Sequence, residues 1–363
     1  MSLLSFSPAR FFCGATIAFS LYYLSVAFST TIVAGTPSTT MDPYQLLHII
    51  LNPNGTLTRL EKHPESPAAP DPNSHLPVLS KDLTINPSRN TWARIFLPLQ
   101  ALNHPRSSLT KLPLIVFYHG GGFIFYAANS TYFHDFCVSL VQRTQSVVVS
   151  VNYRLAPEHR LPAAYDDALE ALHWIQTSED QWLTRFADYS RCYLMGESAG
   201  GNIAYNAGLR AAAEVDQLEP VKIQGLILIQ PFFGGVKRTS SERRLANDTV
   251  LPLPVTDLMW ELSLPVGADR DHEYSNPTAE RGSKGFDNIT RLGWKVIVFG
   301  CYGDPLVDRQ IKLVNTLQEN GAQVEGHFQG EDKHGAFVGQ PTQGKALELY
   351  DTLKKLFNTP LVA

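Results

Sequence analysis

Cysteine is scarce in this chain, with four in 363 residues. Cys13 lies in an N-terminal apolar run, which leaves Cys137, Cys192 and Cys301. That odd set, with two members in or just after strand-like runs, makes no disulfide framework and speaks against an oxidising compartment. No Cys/His cluster has metal-ligand spacing, so no metal is expected. Neither sign of charge dominates: Lys plus Arg number 30 and Asp plus Glu 34, for a net −4. Nothing in that balance implies a polyanion-binding surface, so no nucleic-acid partner is expected. A phosphate-cradling loop is missing too. Gly200-Gly201 lacks both the Gly-x-Gly-x-x-Gly and the Gly-Lys-Ser/Thr pattern, and no cofactor is expected. No internal repeat is visible.

What the chain does have is Gly196-Glu197-Ser198-Ala199-Gly200-Gly201-Asn202, between an apolar run (192–195) and a helix-like run (203–213). Gly-x-Ser-x-Gly between strand and helix is a nucleophile elbow. The turn is so tight that only glycine two residues either side lets strand and helix approach. The serine hydroxyl is then exposed above the sheet, beside a helix N-terminus that favours developing negative charge. Upstream, the apolar run 112–118 reads as a buried parallel strand. It ends in His119-Gly120-Gly121-Gly122-Phe123. Three glycines in a row cost backbone entropy. The return is close backbone approach to a ligand, with N–H groups aimed at one point, as in an oxyanion hole. The expected donors are the N–H groups of Gly121, Gly122 and Ala199.

These motifs resemble those of the α/β-hydrolases of the hormone-sensitive-lipase-like group, and specifically the plant carboxylesterases. The matching pieces are His119 to Phe123, Val151-Asn152-Tyr153-Arg154-Leu155-Ala156-Pro157-Glu158-His159, Leu161-Pro162-Ala163-Ala164-Tyr165-Asp166-Asp167, Gly196 to Asn202 and Gly303-Asp304-Pro305-Leu306. They run in family order over roughly residue 41 to the C-terminus. The resemblance implies an α/β-hydrolase fold: a mostly parallel central sheet flanked by helices, with a cap. It also implies serine-dependent hydrolysis of a small-molecule ester.

Ser198 needs an acid and a base, which follow it in that order in this fold. The acid should stand past a late strand, and 295–300 is one. Asp304 and Asp308 both qualify. Asp308 opens the amphipathic run Ile311, Val314, Leu317 and reads as a helix N-terminal charge. The resemblance also favours Asp304, because it precedes Pro-Leu. For the base, His327 lies inside the strand-like run 324–328, whereas His334 sits in a polar loop after it, where a mobile general base belongs. The family carries its histidine in a His-Gly-Phe-like setting; here Ala336 intervenes, giving His-Gly-Ala-Phe. The expected catalytic set is Ser198, Asp304 and His334. An unperturbed imidazole titrates near 6.5, so activity is expected to rise at roughly pH 6–7. His119, His159 and His173 are expected to be structural or surface groups. Arg154 is expected to pair internally with Glu158 or Asp166, and Glu197 to be half-buried without a chemical role.

Strand-like runs at 92–97, 112–118, 147–153, 192–195, 223–229, 295–299 and 323–328 mostly alternate with helical runs. The helical runs are 132–141, 165–175, 201–213, 311–318 and 345–357. Alternation of this kind predicts a mostly parallel sheet with helices on both faces. The proline-crowded stretch 61–80 reads as an extended linker. Residues 232–286 are too long for a plain connection. By analogy with the family, they and the arm 42–60 form the cap of a hydrolase domain spanning 41–363. Residues 1–40 stand apart as a hydrophobic leader. The apolar run 11–34 after Arg10 is compatible with a signal peptide cleaved near Ala34-Gly35, a membrane anchor or a transit peptide. Met41-Asp42-Pro43-Tyr44 resembles the start of the family's mostly cytosolic esterases. Localisation therefore depends on the leader: cytoplasmic from Met41, otherwise secretory or membrane-anchored. Oligomeric state is not legible.

Three functional classes fit this scaffold. The first is a carboxylesterase. The second is a small-molecule receptor like the gibberellin receptors, which share the fold but lack the catalytic histidine. The third is a lyase or dehydratase, many of which alter the serine or the oxyanion loop. Ser198, His334 and the intact Gly120-Gly121-Gly122 favour the first.

Overall fold

Short apolar runs bounded by turn residues dominate the middle of this chain, and each becomes a strand buried on both faces. The computed structural model describes residues 42–102, 111–279 and 285–358. The expected leader, residues 1–40, lies outside them. Eight strands form one sheet. They are β1 Val78–Asn86, β2 Thr91–Pro98, β3 Leu112–Tyr118, β4 Val147–Asn152, β5 Ala187–Glu197, β6 Ile223–Ile229, β7 Lys295–Gly300 and β8 Gln323–Phe328. Their spatial order is β1-β2-β4-β3-β5-β6-β7-β8. Only β2 opposes its neighbours; β4-β3-β5-β6-β7-β8 pair in parallel. The fold is an α/β-hydrolase fold.

Strand alternation splits the core in two. In β3, Leu114, Val116 and Tyr118 face one core, and Ile115 and Phe117 the other. All five are fully buried. Each such side chain contributes about 1.5–3 kcal/mol of burial. Helices α1 Thr131–Thr144 and α6 Lys345–Asn358 cover the second face. The first is covered by α2 Ala163–Thr177, α3 Ala199–Ala213 and α5 Val307–Glu319, with α4 Leu253–Ser263 packed into the same core. Every strand-like and helical run expected above is found, with ends moved by a few residues. Cys137, Cys192 and Cys301 are buried and free.

Three expectations need correction. The end of the supposed linker, Val78 to Ser80, is buried and opens β1. An edge strand needs only one covered face, so Lys81, Asp82 and Thr84 hide it among polar residues. Arg154 pairs with neither Glu158 nor Asp166. Its guanidinium grips the fully buried Asp167, Nη2 to Oδ1 at 2.6 Å, and its N–H donates to the same carboxylate. Consecutive helical residues point about 100° apart. Asp167 therefore faces the core from α2 while Asp166 turns outward to Arg210 at 2.6 Å. Glu158 is taken by Arg59 at 2.9 Å. Glu197, finally, is buried rather than half-buried, at 4 % exposure.

Inside 232–286, α4 lies over the turn that follows β3. Trp260 stacks on Phe232 at 4.6 Å and packs on Phe123 at 5.5 Å. Ser263 Oγ donates to the Gly122 carbonyl at 3.3 Å. Residues 42–60 fold as a short helix, Pro43–Leu46, packed against α4, then an antiparallel hairpin of Ile49–Leu51 with Leu57–Arg59. Arg59 pins the hairpin down by donating to the carbonyls of Ile124 at 2.6 Å and Ala156 at 2.9 Å.

Candidate active site

In a parallel sheet the loops after the strands gather at one edge. Here β3 delivers Gly120 to Gly122, β5 delivers Ser198, β7 leads to Asp304, and β8 to His334. The Ser198 backbone sits at φ 55°, ψ −119°, a strained conformation for a residue with a side chain. Its neighbours explain how that is tolerated. A Cβ on Gly196 would lie 2.1 Å from the Gly200 carbonyl oxygen, and one on Gly200 would lie 1.9 Å from that of Tyr118. Both obstacles are backbone, so no larger residue fits either position.

The structure brings Ser198, His334 and Asp304 together. Ser198 Oγ is 2.9 Å from His334 Nε2, and His334 Nδ1 is 2.9 Å from Asp304 Oδ2. A carboxylate only accepts, so Nδ1 carries the proton and neutral Nε2 is left to accept from the serine hydroxyl. Asp304 is fully buried. Its Oδ2 also accepts from Gln230 Nε2 and Gln310 Nε2, both at 3.0 Å, and its Oδ1 from the Leu306 N–H at 2.9 Å. Burial alone would pull the His334 imidazole down. The Asp304 carboxylate outweighs it, with help from Glu197 and Asp248, and holds the group up at about 9. This moves the expected rise of activity away from pH 6–7.

The rivals stand elsewhere. Asp308 lies in the first turn of α5, where its Oδ2 accepts from the Ser241 N–H at 2.8 Å. His327 stays on β8, stacked on Phe299 at 4.9 Å. His119 is buried against Tyr153 at 4.3 Å, and burial lowers it to about 4. His173 meets Glu214 at 3.0 Å on the surface.

Gly121 and Gly122 take left-handed φ values of +104° and +60°. At Gly121 a Cβ would sit 2.6 Å from the Phe125 carbonyl oxygen, and at Gly122 2.3 Å from Met259 Sδ on α4. Among the described residues, neither glycine N–H donates to a backbone carbonyl in this loop. Ala199 opens α3, where a first-turn N–H has no partner within the helix.

Gln230 is the functional-site residue that the sequence reading missed. Besides holding Asp304, it accepts the Gly335 N–H at 2.9 Å and donates to the Lys333 carbonyl at 3.2 Å. One side chain thus ties the acid to both sides of the histidine. The available signal was a lone amide ending an apolar strand at the sheet's loop-bearing edge. Tyr132 on α1 adds a second tie, donating to the Gly335 carbonyl at 3.1 Å. A depression of about 400 Å³ opens beside the Asp304 and His334 loops, lined by Arg243, Arg244, Asp248, Gly303 and Lys333 among others. Its lining includes none of the three residues, so the site is defined by the hydrogen-bond geometry instead. Among the described residues, no group of three or more His, Cys, Asp or Glu could hold a metal ion. No described helix is long and apolar enough to cross a membrane.

Residues 115–338 match the family described as alpha/beta hydrolase fold. Carboxylesterase 20 of Arabidopsis thaliana is 51% identical over 314 residues, covering 86% of this chain and 96% of that protein. The 3-O-acetylpapaveroxine carboxylesterase of Papaver somniferum is 46% identical over 308 residues, covering 83% and 93%. Among solved structures, an esterase of Pyrobaculum calidifontis superposes with a TM-score of 0.62 at 25% identity, covering 76% of this chain and 85% of that one.

Proposed function

Because this chain belongs to the plant carboxylesterases of the α/β-hydrolase family, we propose that it hydrolyses small acyl or aryl esters through Ser198, His334 and Asp304. The observation that carries the reading is the unbroken relay from Ser198 Oγ through His334 to Asp304, at 2.9 Å in each link. Nε2 takes the serine proton as Oγ attacks the ester carbonyl. Asp304 keeps Nδ1 protonated and stabilises the imidazolium. The carbonyl oxygen gathers charge toward the N–H groups of Gly121, Gly122 and Ala199. Each oxyanion donor is worth about 3–4 kcal/mol in the transition state. His334 then returns the proton to the leaving alcohol, and water activated the same way releases the acyl group from Ser198.

Helix α4 and the arm 42–60 act as the cap in this reading. Met259 of α4 stands over Gly122, so the cap reaches the glycine loop at the site. A receptor has no need of a serine hydroxyl aligned on a histidine. A lyase needs a base but no attacking serine hydroxyl. A panel of p-nitrophenyl esters of increasing acyl length tests the proposal. Turnover that falls with chain length and vanishes in Ser198→Ala supports it; turnover retained in Ser198→Ala refutes the nucleophile.

A further inference from the structure

We propose that Glu197 is a positioning residue for the base. Its buried carboxylate, against the Nε2 edge of His334 and opposite Asp304, stabilises the imidazolium formed when Ser198 attacks. The proposal rests on the esterase reading above. Glu197 ends β5, directly before the nucleophile, and is 4 % exposed. Burying a carboxylate without a cation costs several kcal/mol. Among the described residues its ion-pair partner is His334, Nε2 to Oε1 at 3.8 Å. The ring therefore lies between two carboxylates, Asp304 at Nδ1 and Glu197 at Nε2.

The oxyanion loop is cut to fit this carboxylate. A Cβ on Gly120 would lie 2.1 Å from Glu197 Oε2. The first glycine of the triple run thus makes room for Glu197, while the next two turn N–H groups to the substrate. Burial raises the Glu197 carboxyl to about 7; His334 pulls it back and Asp304 pushes it up. The charged groups facing His334 are Asp304, Glu197 and Asp248. Tyr153, packed behind the loop, feels the same carboxylate. An ionised Glu197 opposes loss of the His334 proton, and it does so from neutral pH upward.

The competing role is a spacer that merely fills the gap under Gly120. Glu197→Gln keeps the shape and removes the charge; Glu197→Asp keeps the charge and withdraws it by one methylene. The full chain is titrated by NMR of the His334 imidazole, identified by its loss in His334→Ala, and by kcat/KM against pH with p-nitrophenyl acetate. Glu197→Gln should lower the imidazole midpoint and the acid limb together by about one pH unit. Its limiting kcat should fall about tenfold. Glu197→Asp should restore most of the midpoint. A folded Glu197→Gln with wild-type midpoint and limb, its kcat lowered or not, overturns the proposal. If the wild type hydrolyses no ester, the esterase reading fails, and the imidazole titration still decides the role of Glu197. If Glu197→Gln does not fold, carboxyl-labelled wild type decides. A Glu197 carboxyl that titrates in steps coupled to His334 supports the proposal, and a single independent step overturns it.

Discussion

Asp304→Asn replaces a carboxylate with an amide of the same shape, and the structure says what that removes. Four donors converge on Asp304: His334 Nδ1, Gln230 and Gln310 on Oδ2, and the Leu306 N–H on Oδ1. An amide has one oxygen. Its better orientation keeps that oxygen under the three donors at Oδ2 and turns NH₂ against the Leu306 N–H. That unsatisfied pair costs about 1–3 kcal/mol of stability. In this orientation Nδ1 keeps its acceptor, so the tautomer survives and the loss is one of charge. Carboxylate and imidazolium 2.9 Å apart attract by about 6 kcal/mol at an effective dielectric of about 20. The imidazolium belongs to the transition state and not to the productive resting state. The barrier should rise by about that amount, or about four decades in kcat. The assay is kcat on one p-nitrophenyl ester, read on the alkaline plateau where His334 is neutral, with a urea midpoint to show that the fold persists. Asp308→Asn, at the start of α5, should change kcat by no more than about twofold. An Asp304→Asn variant within about tenfold of wild type, or less impaired than Asp308→Asn, would refute the reasoning.

Other outcomes follow from the same geometry. His334 accepts a proton only when neutral and its imidazole is held up at about 9, so kcat/KM should be low at pH 6, climb into the alkaline range and then level. A limb at the ordinary histidine value would show that the flanking carboxylates do not hold the cation. Gly200→Ala places a Cβ 1.9 Å from the Tyr118 carbonyl oxygen. Strand and helix must part, which should cost about 3 kcal/mol of stability and at least about 100-fold in kcat; a soluble variant with wild-type kcat would contradict this. Arg154→Ala leaves the buried Asp167 with only the partly exposed Arg89, 3.9 Å away, and should cost about 3 kcal/mol in denaturant unfolding, with kcat largely kept below the transition.

The elbow, the glycine run and the order of strands and helices were legible because each is written locally. A strained serine needs its two glycines, and buried parallel strands need unbroken apolar runs. That His334 would meet Asp304 rather than Asp308 was legible partly from the helix start, which is also a local pattern, and partly from the family resemblance at Asp304-Pro305-Leu306. What was hidden depends on how far-apart strand ends meet. Gln230 follows β6, yet its partners lie on the loops after β7 and β8. Glu197 gave no hint of facing His334, because only the folded turn sets its carboxylate there. Arg154 was assigned the wrong partner because neighbouring residues of α2 point in different directions. The pH expectation moved for a related reason: burial and two flanking carboxylates are properties of the assembled site.

The central claim is that Ser198 is a nucleophile activated by His334. A fluorophosphonate probe followed by peptide mass spectrometry tests it most directly, because the adduct marks the attacking atom whatever the natural substrate is. One adduct is expected, on Ser198, formed at wild-type rate in His327→Ala, slowed by orders of magnitude in His334→Ala and absent in Ser198→Ala. An adduct on another residue, or undiminished labelling of Ser198 in His334→Ala, would contradict it.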